Sequence, residues 1–224
     1  MDIELVVFDM AGTTVDEQNV VYKTVHQAIL RAGVEVSLEA VLLHAAGKEK
    51  FQAILDVLEA TTGAPFEVEK AKLIFQDFET LLDKAYNELL PKAMPGAEQV
   101  FGILQERGIA VALNTGYKRT VAEGLLQKLA WKEGHTFGLL VTANDAPRSR
   151  PHPDMIHVAM RHFGVKDPKK VAKIGDSIVD IEEGINAGCG ICAGITTGAQ
   201  TAAQLWTAHP SQVFDSLEEL LYLV

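Results

Sequence analysis

The sequence predicts a doubly wound parallel α/β sheet with an α-helical unit inserted after its first strand. Three observations predict it. An apolar strand, Ile3 to Phe8, opens the chain and delivers Asp9 to its end. From about Glu17 to Leu90 the periodicity is helical throughout. After Pro95-Gly96, helices and apolar strands alternate at the spacing of right-handed βαβ units. The expected domains are an α/β core of 1–16 and 92–224 and a helical insertion of 17–91, placed over the active end of the first strand.

Taken in order, the first strand is all apolar, as a parallel strand covered on both faces must be. It breaks into the small-residue turn Asp9-Met10-Ala11-Gly12-Thr13-Thr14. Ligands of open α/β sheets sit at such carboxyl ends. Gly12 permits a sharp turn, and Thr13 and Thr14 offer hydroxyls and N–H groups to an anion. On this stretch alone, Asp9 reads equally well as a cap of the next segment.

In the insertion, Val21, Val25 and Ile29 recur at helical spacing and stop at Gly33. Ser37 can cap a second helix. Phe51, Ile54, Leu55 and Leu58 form a third stripe, and Phe75, Phe78, Leu82, Ala85, Tyr86 and Leu89 a fourth that Pro91 ends. The core then alternates: helix Ala97 to Arg107, strand Ile109 to Leu113, helix Thr120 to Leu129, strand Phe137 to Val141. Helix Asp154 to Phe163, strand Lys170 to Ile174, helix Asp180 to Ala187 and strand Gly190 to Ile195 follow.

Composition narrows the partners. Across 224 residues, 20 Lys and Arg stand against 30 Asp and Glu, a net charge of −10, which argues against nucleic acid or an anionic membrane surface. The N-terminus lacks the basic region of a secretory signal, no apolar run approaches bilayer length, and two cysteines make no disulfide framework. The chain reads as cytoplasmic. Cys189-x-x-Cys192 leads into a strand rather than opening a helix, so it reads as two small buried residues, not a redox motif. Gly188-x-Gly190 lies between a helix and a strand, the wrong context for a dinucleotide loop. His157 and His162, five apart, do not share a helix face for one metal.

The strand ends collect the chemistry: Asp9; Asn114-Thr115-Gly116-Tyr117; Asn144-Asp145; and Gly175-Asp176-Ser177-Ile178-Val179-Asp180. Arg150 precedes Pro-x-Pro at a helix start. Carboxylates gathered on one rim call for a hard oxygen-liganded cation such as Mg²⁺. A hydroxyl and a guanidinium beside it make a phosphate cradle.

Asp9-Met10-Ala11-Gly12-Thr13, Thr115-Gly116-Tyr117, Arg150 and Gly175-Asp176-x-x-x-Asp180 resemble, in order, the four motifs of the haloacid dehalogenase superfamily. The helical insertion falls where that family carries a cap. The resemblance implies that Asp9 is a nucleophile forming an aspartyl-phosphate. It implies that Asp9, the Ala11 carbonyl and Asp176 hold Mg²⁺ with Asp180 as outer partner, and that Thr115 and Arg150 bind phosphate beside Thr13 and Gly116. Tyr117 lines the pocket or packs under the cap.

Two departures from most phosphatases of the superfamily, Ala11 where they carry a general acid and Arg150 in place of lysine, resemble its phosphonatase branch. There a cap lysine forms a Schiff base with the substrate aldehyde, and the departing carbon leaves as an enamine. His44-Ala45-Ala46-Gly47-Lys48-Glu49-Lys50 resembles that lysine's loop; Lys50 matches by its spacing from Gly47, with Lys48 as neighbour. Ala46, Ala53 and Met10 stand where phosphonatases have methionine, histidine and tryptophan. The resemblance implies a small phosphonylated or phosphorylated metabolite as substrate and leaves a homodimer through the cap open. A phosphomonoesterase, for example of phosphoglycolate, is the enzymatic alternative. A phospho-accepting receiver module is the other class, against which the helical insertion and Arg150 speak.

Overall fold

The computed structural model describes residues 2–46 and 48–224. In chain order, β1 (Leu5–Asp9) and β2 (Val15–Asp16) precede α1 (Val20–Arg31), α2 (Leu38–Ala45), α3 (Lys50–Thr62) and α4 (Val68–Glu88). Then come β3 (Lys92–Ala93), α5 (Ala97–Glu106), β4 (Ala110–Thr115), α6 (Arg119–Lys128), β5 (Leu139–Thr142) and α7 (Asp154–Phe163). Next are β6 (Val171–Gly175), α8 (Ile178–Ala187), β7 (Ile191–Ile195), α9 (Ala202–Trp206) and β8 (Gln212–Phe214), and a 3-10 turn at Leu217–Tyr222 follows. It divides into two compact units, Met1–Glu17 with Pro91–Val224, and Gln18–Leu90.

In the larger unit six parallel strands line up as β5-β4-β1-β6-β7-β8. β1 is central, with Val7 opposite Ala112 on one side and Lys173 on the other. The chain builds outward to β5, then returns across β1 to build β6 to β8. The order therefore reverses between β1 and β6, and such a switch point opens a crevice at the carboxyl ends of the strands. Asp9 ends β1 and Asp176 follows β6, so the two carboxylates flank it.

Side chains alternate across the sheet. Val6 and Phe8 join a core with Val100, Phe101 and Leu104 of α5 and Ala122 and Leu126 of α6. The Phe101 ring lies 5.4 Å from that of Phe8 and 5.3 Å from Trp131. Leu5 and Val7 join the opposite core with Met155, Ile156 and Ala159 of α7 and Ile181 of α8. Helices on both faces make the sheet doubly wound, as expected from the alternation.

The strands and helices read from periodicity agree with the observed bounds to about two residues. Four short elements escape that reading. The antiparallel pair β2–β3 is two residues a strand, created by Val15 meeting Ala93 across the whole insertion. Neither α9 nor β8 is long enough to show a period.

In the helical unit the Ser37 hydroxyl accepts from the Ala40 N–H at 3.1 Å, so α2 starts on the expected cap. Val21, Val25 and Ile29 of α1, Val41 of α2, Ile54 and Leu58 of α3, and Phe78 of α4 are buried. The buried stripe of α4 is Ala71, Ile74 and Phe78, one turn earlier than expected; Phe75, Leu82, Ala85 and Tyr86 are half-buried. Among the described residues no helix is long and apolar enough to cross a membrane.

Candidate active site

Each turn at the switch point is shaped by small residues. Gly12 has φ +78°, and a Cβ there would stand against the Asp176 carboxylate and the Gly198 backbone. The Thr14 hydroxyl donates to the Asp9 carbonyl at 2.9 Å and that of Thr197 to the Gly12 carbonyl at 2.7 Å, which fixes the loop. A Gly12→Ala variant is expected to lose about 1–2 kcal/mol from the left-handed backbone alone. It should also displace Asp176, so denaturant midpoint and metal affinity fall together.

Asp9, Asp176 and Asp180 are buried, and each offers a carboxylate oxygen within 4.8 Å of the others'. Arg150 Nη1 donates to Asp9 Oδ1 at 2.7 Å and also to Asp180 Oδ1. Ser177 Oγ donates to Asp180 Oδ2, and the Ala199 N–H to Asp176 Oδ2 at 2.7 Å. Gly116 lies beside the guanidinium, where a Cβ would be 3.3 Å from Arg150 Nη2. Thr115 Oγ1 accepts from the Tyr117 N–H at 3.2 Å. Thr13 Oγ1 is buried and has no hydrogen-bond partner among the described residues.

The electrostatics follow from burial. Burial, with the Asp180 charge added, outweighs Arg150 and Lys173 and pushes Asp9 up to about 6. Burial and the neighbouring Asp9 and Asp180 hold Asp176 well above the usual carboxylate range. Burial would raise Asp180 too, but Arg150 and Lys173 overcome it and bring it down to about 2. The Arg150 guanidinium resists the opposite pull of burial because Asp180 and Asp9 face it.

Asn114 was legible as a strand-end residue, but the buried charges it joins, Lys173 and Glu183, were not. Lys173 on β6 is fully buried, as are Glu183 on α8 and Asn114 at the end of β4. The signal was present: a lysine in a strand covered on both faces must be paired. Counting Glu183, four carboxylates face two cations, Arg150 and Lys173. The two uncompensated negative charges equal the charge of one divalent cation, and all-oxygen donors suit a hard one such as Mg²⁺. The residues therefore fit the ion. Binding it requires carboxylates without protons, so Mg²⁺ affinity should fall as pH drops through about 6, where Asp9 takes up its proton. The slope should be about tenfold per pH unit for each proton displaced. Calorimetric titration at fixed ionic strength measures it; an affinity level from pH 7 to 5 would exclude Asp9 as a ligand.

The sequence-stretch Lys48 to Lys50 belongs to the helical unit, while Gly47, from which the spacing was counted, lies outside the described residues. Glu49 caps α3 by accepting from the Phe51 and Gln52 N–H groups at 3.0 Å. Lys48 pairs with Asp56. Lys50 Nζ donates to the Lys48 carbonyl at 2.6 Å and lies 5.4 Å from the Tyr22 ring centroid. Both cysteines of the C-x-x-C are buried and unbridged. Asp145, another strand-end acid, is taken by Arg119 at 2.6 Å.

An acid cluster beside one arginine at the switch point of a parallel sheet describes a class of protein, and comparison with known families states which. Residues 3–188 match the haloacid dehalogenase-like hydrolases, and the chain belongs to that family of enzymes. The receiver alternative falls with that match.

Nearer relatives carry a more particular name. The chain is 33% identical over 201 residues to the phosphonoacetaldehyde hydrolase of Bacillus cereus, covering 84% of this chain and 74% of that one. It is 31% identical over 234 residues to that of Bacillus thuringiensis subsp. konkukian, covering 97% and 86%. A phosphonoacetaldehyde hydrolase-like protein from Oleispira antarctica superposes with a TM-score of 0.80 at 24% identity, over 100% of this chain and 91% of the other. A predicted phosphoglycolate phosphatase from Haemophilus somnus does so at 0.81 and 20% identity, over 100% and 98%. These structural likenesses establish the fold.

Proposed function

We propose that this hydrolase is Mg²⁺-dependent, transfers the phosphoryl group of a small phosphonate to Asp9, and cleaves phosphonoacetaldehyde to acetaldehyde and phosphate. The observation that carries the reading is Ala11. Two residues beyond Asp9 stands a methyl group, so that position supplies no proton to a departing alkoxide. The leaving group must be made good by other means, and an imine does so for carbon.

Lys50 is the amine that condenses with the aldehyde, releasing water. An Asp9 oxygen then attacks phosphorus and the C–P bond breaks. Its electron pair moves into the iminium, giving an enamine on Lys50 and an acyl phosphate on Asp9. Water hydrolyses both, and the enamine carbon takes a proton to become acetaldehyde. Arg150, bonded to Asp9, is the cation for the phosphoryl oxygens; Thr115, the buried Thr13 hydroxyl and the Gly116 N–H are their donors. Asp9, the Ala11 carbonyl and Asp176 would hold Mg²⁺ with Asp180 as outer partner, and the ion would offset the charge repulsion between carboxylate and phosphonate. Tyr117 and Lys48 contact the substrate.

A second reading has its own support. Ala53 is fully buried and Met10 packs in the core, so these positions contribute none of the polar groups phosphonatases place there. That favours a phosphomonoesterase such as a phosphoglycolate phosphatase. Orthophosphate and acetaldehyde release, measured with phosphonoacetaldehyde and phosphoglycolate side by side, separates them. Equimolar acetaldehyde and phosphate, with the larger kcat/KM for phosphonoacetaldehyde, is expected. Phosphate from phosphoglycolate with no acetaldehyde from the phosphonate would replace the first reading by the second.

A further inference from the structure

The buried Lys173 takes no part in that chemistry, yet its surroundings are specific. Its ammonium donates to Asn114 Oδ1 and to Asp180 Oδ1, both at 2.8 Å. Glu183 Oε2 stands farther away, at 3.6 Å. Asn114 in turn donates its amide to both Glu183 oxygens, at 3.0 and 2.8 Å. The lysine is therefore aimed at Asp180, with Asn114 and Glu183 behind it. Gly184 makes the approach possible, since a Cβ there would meet the Lys173 side chain at 2.9 Å.

Asp180 Oδ1 is the meeting point of two cations, Lys173 from inside the fold and Arg150 from the side of Asp9. Arg150 Nη1 is itself divided between Asp180 and Asp9. We propose that Lys173 is a positioning residue: braced by Asn114 and Glu183, it holds the Asp180 carboxylate so that Arg150 stays engaged with Asp9 and the metal-binding oxygens keep their spacing. This rests on the reading of the three aspartates as a Mg²⁺ site. Without Lys173, Asp180 has one cationic partner left and draws the guanidinium away from Asp9. The competing role is a plain structural ion pair between Lys173 and Glu183.

The two roles separate in the pair of variants Lys173→Met and Lys173→Met/Glu183→Gln. The single change strands a buried carboxylate and should lower the melting temperature. The double change removes one charge of each sign, leaves the net charge of the cluster as it was, and should recover most of that loss. Mg²⁺ titrated calorimetrically into substrate-free protein, and inorganic phosphate titrated with Mg²⁺ present, then report on the site. Groups that orient metal ligands typically matter about 10–100-fold in affinity. The double variant should bind both ions weaker by about that factor although its melting temperature is restored. Affinities within about twofold of the wild type in the double variant would leave Lys173 as Glu183's partner only and overturn the proposal. Asp176→Asn serves as control: if it binds Mg²⁺ as the wild type does, the metal site itself is misplaced and the role of Lys173 toward it goes too.

Discussion

Asp9→Asn should abolish turnover, lowering kcat at least about 1,000-fold, because the amide oxygen is no nucleophile for phosphorus. The same change should stabilise the metal-free fold at neutral pH. Asp9 titrates in the folded protein at about 6, above its ordinary 3.8, with burial as the main cause. The native state thus holds a proton that the unfolded chain has released. Stability from this group is complete below about pH 4 and is lost as pH rises through 6, a loss of about 3 kcal/mol by linkage. Asparagine carries no such charge. In the presence of a chelator, Asp9→Asn should melt above the wild type at pH 7.5, with the gap closing toward pH 4. A variant that melts lower at pH 7.5 and keeps its activity would remove Asp9 from the centre of the site.

Arg150→Met should have the next largest effect, and on both stability and activity. The side chain is 14% exposed, and its partners Asp9 and Asp180 are 5% and 0% exposed. Removing one member of so enclosed a set strands its partners and costs roughly 3 kcal/mol. Turnover should fall about 100- to 1,000-fold, the scale for losing one donor to developing phosphoryl charge. Arg150→Lys should restore much of the stability and little of the rate, because a single ammonium cannot serve Asp9, Asp180 and phosphate at once. Urea midpoints and phosphate release measure the two. If Arg150→Met unfolds at wild-type midpoints, the two ion pairs of Arg150 are not what holds the carboxylates in place.

The α/β core was legible because its strands are apolar on both faces and its helices end on glycines such as Gly108 and Gly188. The strand ends were legible for a different reason: the residues that bear chemistry lie next to the periodic segments, so Asp9, Thr115 and Asp176 could be placed on one edge without knowing any contact. What escaped depends on partners far away in sequence. β2 and β3 exist through pairing across the helical insertion. Asn114, Lys173 and Glu183 form one network from three elements; Asn114 stood out only as a strand-end residue and Lys173 only as a charge in an apolar strand. The α4 stripe was misjudged by a turn: Phe78 is buried as its spacing implies, but Phe75 is only half-buried, its ring meeting that of Phe51 edge-on at 5.7 Å.

In the proposed reaction Lys50 carries the distinction between C–P cleavage and ester hydrolysis, so the decisive measurement is borohydride trapping with phosphonoacetaldehyde, followed by peptide mass mapping. A reduced adduct on Lys50 that is absent from Lys50→Ala is expected, together with acetaldehyde and phosphate release that Lys50→Ala lacks. No adduct, with Asp9-dependent phosphate release from phosphomonoesters undiminished in Lys50→Ala, would contradict it and leave a phosphatase.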